Sequence, residues 1–170
     1  LLFIAEFADR FSDRIAAENP GLSNEAGACP FWDAVGRRFF NMDYSAAERL
    51  GGGRNHKGWI AGLMPQSPIY VPLLPEAAQW AIGQLHPVAE LPFSILLDEG
   101  FDTETYVDIF DGGPTGDARV STLKTVAASR RIAASAVGTA GGLRLIAGTR
   151  RDAYRALLLP PGAVLDDTLL

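Results

Sequence analysis

Residues 75–115 read PEAAQWAIGQLHPVAELPFSILLDEGFDTETYVDIFDGGPT, and this stretch decides what kind of fold the chain builds. Pro75 suits the first turn of a helix, where its missing N–H is no loss, and a helix is predicted over Glu76 to Ile82. Gly83 then supplies a left-handed C-cap. After Pro92 a second helix is predicted, with Phe93, Leu96 and Leu97 on one face and Gly100 ending it. Glu104 to Phe110 holds Tyr106, Val107 and Ile109 and reads as a strand, and Asp111-Gly112-Gly113-Pro114 is turn chemistry. Helices alternating with a strand at this spacing place the chain in the mixed α/β or α+β class.

The same reading extends outward in both directions. Towards the N-terminus, Pro68 to Val71 is predicted extended, and His56 to Met64 helical or irregular. Ser45 is expected to cap a short helix through Leu50, ended by Gly51-Gly52-Gly53. Pro30 opens a helix carrying Phe31, Trp32, Val35, Phe39 and Phe40. Residues 21–29 read as a loop, and Arg14 to Glu18 as a strand stopped by Asn19-Pro20-Gly21. Phe3, Phe7, Phe11 and Ile15 recur every fourth position, which predicts an amphipathic helix to about Asp13. With no Met and no N-cap before it, that helix is expected to be already under way at residue 1. Towards the C-terminus, Thr115 to Thr125 is polar and poorly patterned, and residues 129–137, 143–148 and 153–159 read as three short strands.

Composition narrows the function classes. The 170 residues carry a formal net charge of −5 with 48% hydrophobic and 21% charged residues, which is ordinary for a globular protein. The basic residues come at most in pairs, such as Arg130-Arg131, so no cluster is suited to nucleic acid. No apolar run approaches a membrane span, and Glu6 and Asp9 interrupt the opening too early for a signal peptide. Cys29 is the single cysteine, which excludes an intrachain disulfide and fits a reducing cytoplasm.

Few residues can carry chemistry near neutral pH. His86, in Gly83-Gln84-Leu85-His86-Pro87, lies in a stiff connection between two predicted helices, because Pro87 biases it towards extended backbone. From spacing alone a structurally satisfied loop histidine is the favoured reading. His56 follows the glycine run and reads as a solvated loop residue. The two histidines show no metal-ligand spacing. Gly51 to Gly58 lacks the Walker pattern and reads as a loop, and Cys29 as a small semi-buried thiol. Alternation puts Asp108 and Asp111 on opposite faces of the predicted strand end. Asp111 is expected to bond its own turn backbone, although a carboxylate there would also suit a guanidinium.

Four blocks taken together resemble the arginine and ornithine N-succinyltransferase family. They are PFWDAVGRRFFNMDYSAAERL at 30–50, IAGLMPQSPIYVPLLPEAAQ at 60–79, IGQLHPVAELPFSILLDEGF at 82–101 and YVDIFDGGPT at 106–115. The resemblance implies a Gcn5-related acyltransferase-like α/β fold. Residues 1–115 would be the C-terminal part of that domain, beginning inside a helix, and 116–170 a β-rich extension packed on it. It implies transfer of succinyl from succinyl-CoA, a co-substrate rather than a permanently bound cofactor, to the α-amine of L-arginine. The family's proton-donating histidine falls in the GQxHP motif and maps onto His86. Asp111 and Asp108 become candidate substrate-binding residues. Coenzyme A residues are expected in a preceding segment, and no metal is implied. The implied setting is a cytoplasmic homo- or hetero-oligomer of similar subunits. Pro20-Gly21 stands where the family commonly has Arg-Gly, and Gly62 where it usually has Glu. Those two losses leave open a non-catalytic or partner-dependent subunit, or an acyltransferase for ornithine or another amine.

Overall fold

The computed structural model describes residues 1–50, 62, 64–133, 137 and 141–165. Within them the chain is mixed α/β and divides into two compact units, residues 16–117 and residues 1–15 with 118–170. The opening segment thus groups with the C-terminal residues. The expected glycine-run terminator and the loop holding His56 lie outside the described residues, as do most of 134–140.

The larger unit is built on a buried aromatic anchor. Cys29 precedes α1 (Pro30–Ala34), and Pro30 occupies its first turn as predicted. Trp32 is fully buried and packs with Phe31, Val35, Cys29, Ala47, Met64, Ala78 and Ala81. Its indole N–H donates to the Met42 carbonyl at 3.0 Å, and its ring stacks on Phe40 at 5.5 Å. The predicted single helix here is two, because the chain leaves helical bonding at Val35 and restarts as α2 (Arg37–Phe40). A Cβ at Gly36 would overlap the Trp32 ring, so only glycine fits over that face. Asn41 closes α2 in the left-handed region at φ 49°. In α3 (Tyr44–Leu50), Ser45 lies inside the helix rather than at its cap. The Asp43 carbonyl accepts from Ala46 and Ala47, so Asp43 is the boundary residue.

The central prediction holds closely. Pro75 stands at the N-cap of α4 (Glu76–Ala81), whose Ala78 and Ala81 face the core. Gly83 follows in the left-handed region at φ 74°. A short 3₁₀ turn over Pro87–Ala89 leads into α5 (Glu90–Glu99), ended by Gly100 at φ 97°. This helix begins before Pro92, which sits in its first turn where the lost N–H costs nothing.

The sheet contains β1 (Arg14–Glu18), β2 (Asp102–Val107) and β3 (Pro114–Arg119), in the order β1-β3-β2. Strands β2 and β3 are antiparallel, with Tyr106 opposite Thr115 and Val107 opposite Pro114. Strand β3 falls in the stretch that the sequence left unpatterned. Its alternate residues Pro114, Gly116 and Ala118 are buried, and their small size is what lets neighbours close over them. Phe101, for instance, lies 3.3 Å from where a Gly116 Cβ would stand.

In the smaller unit the first helix is short. It covers Leu2–Glu6 and gives way to a 3₁₀ turn at Ala8–Arg10, short of the predicted end at Asp13. The phenylalanine stripe forms a ring cluster instead, with Phe3 at 4.8 Å from both Phe7 and Tyr154. Two of the three late strands are present, β4 (Arg144–Ala147) and β5 (Ala156–Leu159), paired antiparallel. Residues 129–133, expected to start the third, are not a strand. Arg131 there reaches Glu6 with two hydrogen bonds of 2.7 and 3.0 Å.

Candidate functional site

The site is assembled from three chain segments around the Asp108–Pro114 turn. Asp108 Oδ1 accepts from the Phe110 N–H at 2.7 Å, a side-chain mimic of a backbone turn. The Gly112 N–H bonds the Asp108 carbonyl and the Asp108 N–H bonds the Gly113 carbonyl, closing the turn from both sides. Gly112 sits at φ 74° with the Phe31 ring against it, so the position admits no side chain.

Asp111 is 6% exposed, and its carboxylate is filled from several directions. Oδ1 accepts from its own turn at Gly113 N–H, 2.8 Å away. Oδ2 accepts from the Gly21 N–H at 2.8 Å and the Tyr44 hydroxyl at 3.2 Å. The turn role expected of Asp111 is therefore present, and two partners distant in sequence are added to it. Asn19 joins the same junction by donating from Nδ2 to the Pro114 carbonyl at 2.9 Å. Gly21 and Gly113 approach so closely that a Cβ on either would overlap backbone of the other segment.

His86 hangs from this junction. Gly21 forms an antiparallel bridge with Leu85. The His86 N–H donates to the Pro20 carbonyl at 2.9 Å, and the Gly83 N–H to the Gly112 carbonyl at 2.8 Å. The Gly83–His86 connection is thus pinned near both ends, and His86 adopts the extended backbone expected before Pro87. Its ring Nδ1 accepts from the Val88 N–H at 3.3 Å, capping the turn that follows. A neutral imidazole accepting at Nδ1 carries its proton at Nε2. Nε2 bonds none of the described residues, and the side chain is half-buried.

The other candidates separate from His86. Cys29 is fully buried, its Sγ is 3.8 Å from the Asp111 carbonyl, and burial pushes its thiol pKa up. It is a core atom and no nucleophile. His56 lies outside the described residues. Among the described residues no group of His, Cys, Asp or Glu could hold a metal ion, and no helix is long and apolar enough to cross a membrane. Spacing alone missed Asn19, Gly21 and Tyr44. Asn19-Pro20-Gly21 looked like a strand terminator, and only the fold brings it to Asp111.

The fold is mixed α/β, and at the site stands one tethered histidine whose Nε2 bonds none of the described residues. Comparison with known proteins makes this specific. A model of the family described as "Arginine N-succinyltransferase beta subunit" matches residues 1–125. The chain is 46% identical over 162 residues to Arginine N-succinyltransferase subunit alpha of Pseudomonas aeruginosa, a match covering 94% of this chain and 47% of the relative. It is 40% identical to Arginine N-succinyltransferase of Enterobacter sp., over 93% of this chain and 46% of the relative. Among solved structures, subunit AI of the arginine/ornithine succinyltransferase of Pseudomonas aeruginosa aligns with a TM-score of 0.74 and 41% identity. That alignment covers 94% of this chain and 45% of the neighbour. The chain belongs to the arginine N-succinyltransferase family, and it spans about half the length of the curated relatives it matches.

Proposed function

We propose that the protein containing this chain transfers succinyl from succinyl-CoA to the α-amine of L-arginine, giving N2-succinyl-L-arginine and CoA, with His86 as the proton donor. The observation that supports it best is the held imidazole of His86, which keeps Nδ1 on the Val88 N–H and leaves Nε2 to meet substrate. In the reaction a C–N bond forms at the thioester carbonyl and the C–S bond breaks. The arginine ammonium gives up two protons in all, of which one ends on sulfur and one goes to solvent. A thiol ionises near about 8.5, so sulfur departs more readily when a proton is delivered to it. His86 Nε2–H hands its proton to the departing sulfur while the ring regains one from the arginine nitrogen, which accounts for the proton that ends on sulfur. Coenzyme A binding is assigned to no described residue. The setting is the cytoplasm, and succinyl-CoA acts as co-substrate.

A second reading is a subunit that supports an active partner. Relatives named as subunit alpha and subunit beta, both from Pseudomonas aeruginosa, match at 46% identity over 94% of the chain and 45% over 82%, so this chain resembles both kinds. The deciding test is CoA release by the full-length protein given succinyl-CoA with arginine or ornithine. His86→Ala is expected to lower turnover by about 10²–10⁴-fold. Unchanged turnover in that variant refutes the role of His86. Folded protein that releases no CoA with either amine favours the supporting-subunit reading.

A further inference from the structure

We propose that Asp111 is the positioning residue for His86, acting through the Asn19–Leu22 segment rather than by touching substrate. This rests on the reading of His86 as proton donor. The route runs through hydrogen bonds of 2.8–2.9 Å and one β-bridge. Asp111 Oδ2 holds the Gly21 N–H at 2.8 Å, Gly21 bridges Leu85, and the neighbouring Pro20 carbonyl holds the His86 N–H at 2.9 Å. On the other side, Asp111 Oδ1 sets the turn whose Gly112 carbonyl holds the Gly83 N–H at 2.8 Å. One carboxylate therefore fixes both anchors of the Gly83–His86 connection.

The alternative role for Asp111, receiving a guanidinium, asks for a carboxylate with open lone pairs and a path to solvent. Asp111 is 6% exposed and already accepts from Gly21, Gly113 and Tyr44. A bidentate guanidinium would have to displace backbone donors that hold the turn together. Charge-assisted bonds from backbone N–H groups are also the stronger and stiffer kind, which suits fixing a ring to within a fraction of an ångström. The requirement is geometric, because a displacement of about 1 Å at a catalytic group can cost about 10²-fold in rate.

The positioning and binding roles give opposite kinetic signatures. In the full-length protein Asp111→Asn keeps the size of the side chain but replaces one acceptor with an NH₂ that faces the Gly21 N–H or the Gly113 N–H. We expect kcat to fall by about 10²-fold with KM for arginine and for succinyl-CoA within about twofold of wild type. A rise in KM for arginine with kcat preserved shows guanidinium binding and overturns the proposal. A second readout needs no turnover. ¹⁵N-histidine NMR of the full-length protein reads the state of the His86 ring, with His86→Ala fixing the assignment. Wild type is expected to show one tautomer, protonated at Nε2, and Asp111→Asn a mixture of the two. An unchanged single tautomer together with unchanged kcat overturns the positioning role while leaving the His86 assignment standing. Full turnover in His86→Ala overturns the assignment and the positioning role with it. Should Asp111→Asn fail to fold, Tyr44→Phe decides. It removes one donor to Oδ2 and leaves the carboxylate, and is expected to lower kcat several-fold at constant KM; a selective rise in KM for arginine refutes the proposal.

Discussion

Gly21→Ala is the perturbation whose cost can be worked most directly from the structure. A Cβ at this position would overlap the Asp111 carbonyl oxygen and stand 2.6 Å from the Gly113 nitrogen and 2.8 Å from Asp111 Oδ1. An ordinary contact is about 3.5 Å, so one segment must retreat by about 1 Å. The closest obstacles are backbone, and no rotamer change relieves them. Overpacking of this kind costs about 1–3 kcal/mol. The retreat also stretches the 2.8 Å bond from Gly21 N–H to a buried carboxylate, and a lost hydrogen bond to a charged group adds about 1.5–3 kcal/mol. The sum is about 2.5–6 kcal/mol, or about 5–25 °C in midpoint at the scaling of a chain this size. Urea unfolding followed by tryptophan fluorescence and far-UV circular dichroism measures it, with the midpoint falling and the slope unchanged. Gly142→Ala is the matched control, since nothing stands within 4 Å of its added Cβ, and it should lie within about 0.5 kcal/mol of wild type. If Gly21→Ala loses less than about 1 kcal/mol, the close approach at Asp111 is wrong, and the route from Asp111 to His86 goes with it.

Other outcomes follow from the packing and the charges. Trp32→Ala should cost about 3–5 kcal/mol by the same denaturation measurement, because the ring is fully buried and stacked on Phe40. Arg131→Ala should cost under about 1 kcal/mol despite two good bonds to Glu6, since the arginine side chain is 77% exposed; a larger, salt-insensitive loss refutes that. Cys29 should resist a thiol reagent in native protein and react at once in urea, burial being what raises its pKa. The unfolded thiol ionises near 9.0 and the folded one higher, so the folded state holds the extra proton above that value. Stability is therefore full below pH 9.0 and declines as pH rises past it, which a pH series of urea midpoints checks.

The elements legible in the sequence are those fixed by local chemistry. Pro75, Gly83 and Gly100 marked helix ends because each acts through its own φ angle, and Arg14–Glu18 stood out between breakers. Strand β3 was not legible, because PTGDAR has little intrinsic preference for extended structure and is held by neighbours on either side. The phenylalanine stripe overstated the first helix, since rings at that spacing can also meet in a cluster, as Phe3, Phe7 and Tyr154 do. At the site, the turn bond within Asp111-Gly112-Gly113 could be read two residues away. Its partners at Gly21 and Tyr44 lie 90 and 67 residues distant, where periodicity carries no information.

That separation also sets an order in time. Closing a loop of 90 residues costs roughly 4 kcal/mol of chain entropy before the bond returns anything. As the chain is synthesised, Gly21 and then His86 are added before Asp111. The histidine segment consequently has no fixed resting place until the DGGP turn exists, and contacts of such long sequence separation form slowly. A chain stopped at Phe110 should keep the helix Glu76–Ala81 and lose amide-exchange protection at His86. The placement of His86 in this sense waits on residues that the chain adds after it.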